Sequence, residues 1–119
     1  MPRLTARDTG KLGEDHAEAF LKSRGLRITA RNYRIPAGEI DIIAESLEYI
    51  IFVEVRTRAQ GGMTAPAETV TRKKQRKILK AAQAYLAEYP TLLQPRFDVC
   101  AVFTKNGRVM YVEQIENAF

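Results

Sequence analysis

The chain has a single cysteine, Cys100, set inside an apolar run. No intramolecular disulfide can form, which suits a reducing cytoplasm. The opening residues carry Arg3, Arg7, Asp8 and Lys11 with no apolar core between them, so neither a signal peptide nor a membrane span is expected there. No basic stretch has the bulky apolar face of an interfacial helix. The net charge of +5 and the pI near 9.6 therefore point to a polyanion, nucleic acid rather than a membrane. There is no internal repeat or low-complexity segment, and 119 residues with 45% hydrophobic content make one compact domain with a real core. The only histidine, His16, reads as an ordinary surface residue. One further lack is local: between Ile35 and Val55 the chain has no lysine or arginine, although it has 19 in all.

That basic-free stretch holds Glu39, Asp41, Glu45, Glu48 and Glu54. Gly38 to Ala44 and Ile51 to Arg58 otherwise read as buried strands, where acids are rarely tolerated without a reason. Residues 1–9 are polar and expected to be frayed, leaving residues 10–119 as the domain. From Gly10 to about Arg24 the pattern is helical, with Gly13, Ala17, Phe20 and Leu21 on one face and Gly25 as the stop. Glu14 shares that face and reads either as a site residue or as a first-turn carboxylate favoured by the helix dipole. Leu26 to Ile35 alternates like a half-exposed strand with a basic outer side. Pro36 to Gly38 turns the chain into strands over 39–45 and 49–57. Ala59 to Glu68 reads as a flexible loop.

A helix follows over roughly 70–88, with Gln75, Ile78, Leu79, Ala82, Tyr85 and Leu86 at helical spacing and Pro90 closing it. Its other face collects Arg72, Lys73, Arg76, Lys77 and Lys80 with no acid at i, i+4, which suits either solvation or phosphate contact. Residues 97–104 form a buried strand, Gly107 turns the chain, and 109–115 form a last strand. A strand, a long helix and another buried strand imply a parallel crossover. The order is helix, three strands, helix, two strands: an α/β protein with helices covering a mixed sheet.

If the second and third strands form a hairpin with an even-numbered loop, Asp41 faces Glu54 and Glu39 faces Arg56. Opposed carboxylates repel unless a proton or cation lies between them. Mg²⁺ suits Asp41, Glu54 and the Val55 carbonyl, and can activate water against a phosphodiester. Arg56 projects from the same face as Glu54 and can hold a phosphate oxygen. The alternative is a structural ion pair of Arg56 with Glu39 or Glu54.

Gly10 and Gly13-Glu14, Arg31-Asn32, Gly38 to Ala44, Phe52 to Arg56, Tyr85-Leu86, Arg96 to Val99 and the closing Ala118-Phe119 resemble successive motifs of the bacterial YraN-type uncharacterised family. That family is assigned to the PD-(D/E)XK nuclease superfamily and compared with Holliday junction resolvases. The resemblance implies a three-layer restriction-endonuclease-like fold and a Mg²⁺- or Mn²⁺-dependent endonuclease acting on DNA, branched DNA included. It implies metal ligation by Glu14, Asp41 and Glu54, with Arg56 where the superfamily usually has lysine. It places Lys74 and Gln75 where some branches carry an auxiliary lysine or glutamine, so Lys74 joins the basic face. Glu39 is auxiliary. A homodimer follows by analogy alone. The competing reading is a non-catalytic nucleic-acid-binding protein that retains the fold.

Overall fold

The computed structural model describes residues 6–59 and 70–119. The elements are α1 (Ala6–Ser23), β1 (Arg27–Ile35), β2 (Gly38–Glu45), β3 (Tyr49–Ala59), α2 (Arg72–Glu88), β4 (Gln94–Lys105) and β5 (Arg108–Ile115). The order is the one read from the sequence. Helix α1 starts at Ala6 rather than Gly10, so residues 6–9 are helical, with Asp8 in the first turn where the dipole favours an acid. The expected loop over 59–68 lies, beyond Ala59, outside the described residues. Strand β3 runs two residues further than expected, and β4 begins three residues earlier.

The sheet order is β1-β2-β3-β4-β5, with β3 and β4 parallel and every other pair antiparallel. The crossover between β3 and β4 is made through α2, which places β3 at the centre with a neighbour on each side. Side chains alternate across the strands into two cores. Ala17 and Leu21 of α1 pack on Ile42, Ile51, Val53, Cys100 and Val102. On the other face Ile78, Ala81, Ala82 and Tyr85 of α2 pack on Ile40, Ile43, Ile50, Phe52 and Val99. The result is three layers, helix, sheet and helix. Leu79, expected in the apolar face of α2, is instead 46% exposed, and Ala81 takes its place against the sheet.

Two glycines set how closely the helices approach. A Cβ on Gly13 would overlap the hydroxyl of Thr57, and a Cβ on Gly38 would overlap the carbonyl of Lys77, so the α1 backbone rests on a side chain of β3 while α2 meets the β1–β2 hairpin backbone to backbone. Helix α2 starts at an N-cap, Thr71, whose hydroxyl accepts from the Lys74 amide at 3.2 Å. Among the described residues, no helix is long and apolar enough to cross a membrane.

Strand β1 departs from the regular alternation expected of it. A register shift between Ile28 and Ala30, and Asn32 in the left-handed region at φ 52°, change which face its side chains take. Arg31 thus reaches α1 while Tyr33 packs with the α2 core. A basic outer side requires strict period two, which neither irregularity respects.

Candidate functional site

The β2–β3 ladder pairs Ile42 with Val53, Ile43 with Phe52, Ala44 with Ile51 and Glu45 with Ile50. This is the register inferred from the sequence, but it ends at Ile42, one residue short of Asp41. The strands fork there. Asp41 lies across from the left-handed Asn32 of β1 and reaches sideways, its Oδ2 accepting the Val55 N–H at 2.8 Å. A side-chain oxygen thereby replaces the missing ladder partner of a central strand. The carbonyl of a strand residue points to the same side as its N–H, so the Val55 carbonyl also faces the fork.

Glu54 lies on the α2 side of β3 and is 6% exposed. Burial first, and then the negative charge of Glu54, push the Asp41 carboxyl up from 3.8 to about 7, against the Val55 hydrogen bond that favours its charged form. Glu14 adds to the rise through its charge. Asp41 and Glu54 are therefore close enough to interact, although not as the directly facing cross-strand pair that the spacing predicts.

Lys74, in the first turn of α2, places Nζ 3.4 Å from Glu54 Oε1. That turn carries Arg72, Lys73 and Lys74 and no acid, so the positive end of the helix dipole is reinforced rather than offset from within the helix. Glu54 supplies negative charge from the sheet.

Glu14 is held elsewhere. Arg31 lies 3.3 Å from Glu14, 2.8 Å from Asp15 and 3.9 Å from Glu18, gathering three acids of α1 on one guanidinium. Among the described residues, no three acidic, histidine or cysteine side chains converge into a ready ligand cluster. The carboxylate pair with the Val55 carbonyl still fits Mg²⁺ or Mn²⁺, because Mg²⁺ takes one or two carboxylates and completes its shell with water and substrate phosphate.

The expected Glu39–Arg56 facing pair is not formed, because the fork precedes it. Glu39 is opposite Arg34 across the β1–β2 hairpin and bonds its Nε at 2.8 Å. Arg56 is half-buried, in register with Ala101 of β4 and, by alternation, on the Glu54 face. Gln75 turns back along its own helix, its amide donating to the Val70 carbonyl at 3.0 Å. Arg72, Lys73, Arg76, Lys77 and Lys80 are exposed along α2. His16 is exposed, its Nδ1 3.1 Å from the Leu12 carbonyl, as an ordinary surface residue would be. Burial pushes the Cys100 thiol up to about 12, which keeps it inert.

A second buried acid has no place in the sequence-based site. Asp98, fully buried, receives Arg96 Nε at 2.9 Å and a terminal guanidinium nitrogen at 2.8 Å, the Gln114 amide at 2.9 Å and the Asn117 N–H at 3.0 Å. With both oxygens satisfied it ties β4 to β5 and the closing turn, a structural role. Its signal is an acid within the apolar run 97–104, the same kind of signal that marks Asp41 and Glu54.

Fold and site together define a three-layer α/β protein whose central sheet opens into a fork holding a carboxylate pair. The profile of "Uncharacterised protein family UPF0102" matches residues 13–102. The chain is 42% identical to a UPF0102 protein of Dictyoglomus thermophilum over 118 residues, which cover 98% of this chain and 100% of that one. It is 48% identical to a UPF0102 protein of Syntrophotalea carbinolica over 111 residues, 92% of this chain and 89% of that one. The chain belongs to the UPF0102 family, the YraN-type family that its motifs resemble.

Proposed function

We propose that this protein is a metal-dependent endonuclease that hydrolyses phosphodiester bonds in DNA, with branched DNA as its substrate class. The observation that carries this reading is the pairing of Asp41 and Glu54 at the β2–β3 fork, where burial and like charge call for a cation. Asp41, Glu54 and the Val55 carbonyl would hold Mg²⁺ or Mn²⁺, with Glu14 adding negative charge from α1. When bound, the cation would supply an activated water and neutralise charge on the attacked phosphate. Arg56 would stabilise the transition-state charge, a role that suits a guanidinium better than that of general base. Lys74, 3.4 Å from Glu54, would lie beside that phosphate. Arg72, Lys73, Arg76, Lys77 and Lys80 would take the DNA backbone.

Incubation with junction, flap and linear DNA in Mg²⁺ and in Mn²⁺ should give nicked products, and the Asp41→Ala, Glu54→Ala double variant should give none. Cleavage that survives the double variant overturns the assignment.

One observation favours a second reading, a non-catalytic nucleic-acid-binding protein. The Lys74–Glu54 ion pair satisfies Glu54 without metal. On that reading nucleic-acid binding is salt-sensitive, needs no metal and is indifferent to Glu54→Ala.

A further inference from the structure

Helix α2 divides the surface on its side of the sheet. Lys74 and Lys77 border the hairpin turn Pro36–Glu39 on one flank. On the other flank, facing β4, an open groove of about 460 Å³ is lined by Arg72, Gln75, Arg76, Leu79, Phe97 and Phe119. That volume lies within the range of about 300–1,000 Å³ usual for small-molecule sites. Its floor is aromatic. The Phe97 ring stacks on Phe52 with centroids 5.4 Å apart, and Phe119 lies 5.5 Å from Phe97, tilted by 35°. The Ala118 N–H bonds to the Phe97 carbonyl at 2.8 Å and fixes Phe119 over the groove. Leu79, left 46% exposed by its position on the helix flank, forms the apolar wall.

The rim is cationic. Arg72 and Arg76 stand one helix turn apart, roughly 6 Å along the axis, and among the described residues no Asp or Glu side chain lines the groove. Gln75 donates an amide N–H to Val70 and offers its carbonyl oxygen as an acceptor. Flat apolar surface beneath paired guanidinium groups is the combination that binds a nucleobase with its phosphate. Phe97 is in register with Phe52, two residues before Glu54 on the same face of β3. The groove is thus one strand across and roughly 7 Å along from the carboxylate pair.

We propose that this groove binds one unpaired nucleotide, its base against Phe97, Phe119 and Leu79 and its phosphate under Arg72 and Arg76. The inference rests on the nucleic-acid reading of α2 and gives it a substrate feature, a splayed base next to the attacked phosphate. A base inside an intact duplex cannot enter, because its faces are already stacked. Strand ends, flaps and junctions can provide one.

The test is equilibrium binding of the full chain, in EDTA so that no cleavage intrudes, to a blunt duplex and to the same duplex with a short single-stranded overhang. The overhang should bind about tenfold more tightly. Phe119→Leu, which keeps the apolar volume and removes the ring, should bring that ratio close to one, as should Phe119→Ala. A 2-aminopurine base in the overhang should lose fluorescence on binding the native protein and lose less with Phe119→Leu. Equal affinity for both DNAs, or a preference undiminished by Phe119→Leu, overturns the inference while leaving nucleic-acid binding standing. Failure to bind either DNA sinks the nucleic-acid reading and this inference with it.

Discussion

Asp41 carries a proton-dependent cost. Its carboxyl titrates near 3.8 in an unfolded chain and at about 7 in the fold. Between those values the folded protein binds the extra proton, so the contribution of Asp41 to stability is fully present below about pH 4 and is lost as pH rises through 7. Asp41→Asn keeps an oxygen for the Val55 amide and removes the charge. In EDTA at pH 8 this variant should be more stable than the native protein by roughly 1–3 kcal/mol, discounted for the carboxylate's partial exposure, with the difference vanishing near pH 4. Urea denaturation midpoints across that range will check it. Lys74 makes a second case. Lys74→Ala leaves Glu54 buried beside Asp41 without its cation, so the metal-free protein should lose about 1–3 kcal/mol. The same change removes a competitor for the site, so Mn²⁺ should raise the melting temperature by more than in the native protein. An equal or smaller rise would mean that Lys74 does not compete with metal. Asp41 and Glu54 are legible in the sequence because an acid inside an apolar strand is conspicuous. Lys74 is placed only by resemblance, because its partner depends on where the first turn of α2 lands over the sheet, and no local pattern encodes that.

The elements are legible wherever periodicity runs unbroken. Helix α2, the parallel crossover and the β2–β3 register all follow from spacing. What spacing misses is a residue that breaks the period, such as Asn32 at φ 52° opposite Asp41. Beside it the β2–β3 ladder ends, and the expected facing pair is replaced by a fork with a side-chain hydrogen bond. Close approach is equally silent in a sequence. Gly13 reads as one more small residue on a helix face, yet a Cβ there would collide with the Thr57 hydroxyl. Gly13→Ala should therefore cost about 1–3 kcal/mol, although alanine is the better helix former. Thr57→Ala removes the colliding oxygen and leaves the threonine Cβ, which is 3.5 Å from the added methyl, an ordinary contact. The double variant should recover most of the loss, a coupling that a thermal-denaturation double-mutant cycle reads directly. Additive losses would show that the helix moves as a whole instead of meeting Thr57.

Across the whole molecule, charge is locally segregated. The chain has a net charge of +5, yet the segment from Glu39 to Glu54 holds five acids and no lysine or arginine, while Arg72, Lys73, Arg76, Lys77 and Lys80 line α2. On the proposed function, a carboxylate pair at the fork would repel a DNA backbone unless the helix drew the backbone in, so the two groups would serve binding only together. If those cations touch phosphates, each neutralised phosphate releases counterions and adds about 0.9 to the slope of log affinity against log salt. Replacing Lys73, Arg76 and Lys77 with glutamine should lower that slope by about 0.9 for each phosphate no longer neutralised and weaken binding equally across sequences. Asp41→Ala, which removes repulsion near a single phosphate, should tighten metal-free binding at low salt without lowering the slope. Titrations of one labelled junction over a range of KCl concentrations separate these outcomes. An unchanged slope in the triple variant would leave the basic face of α2 as solvated surface, and the acids of the fork would then need another route to their substrate.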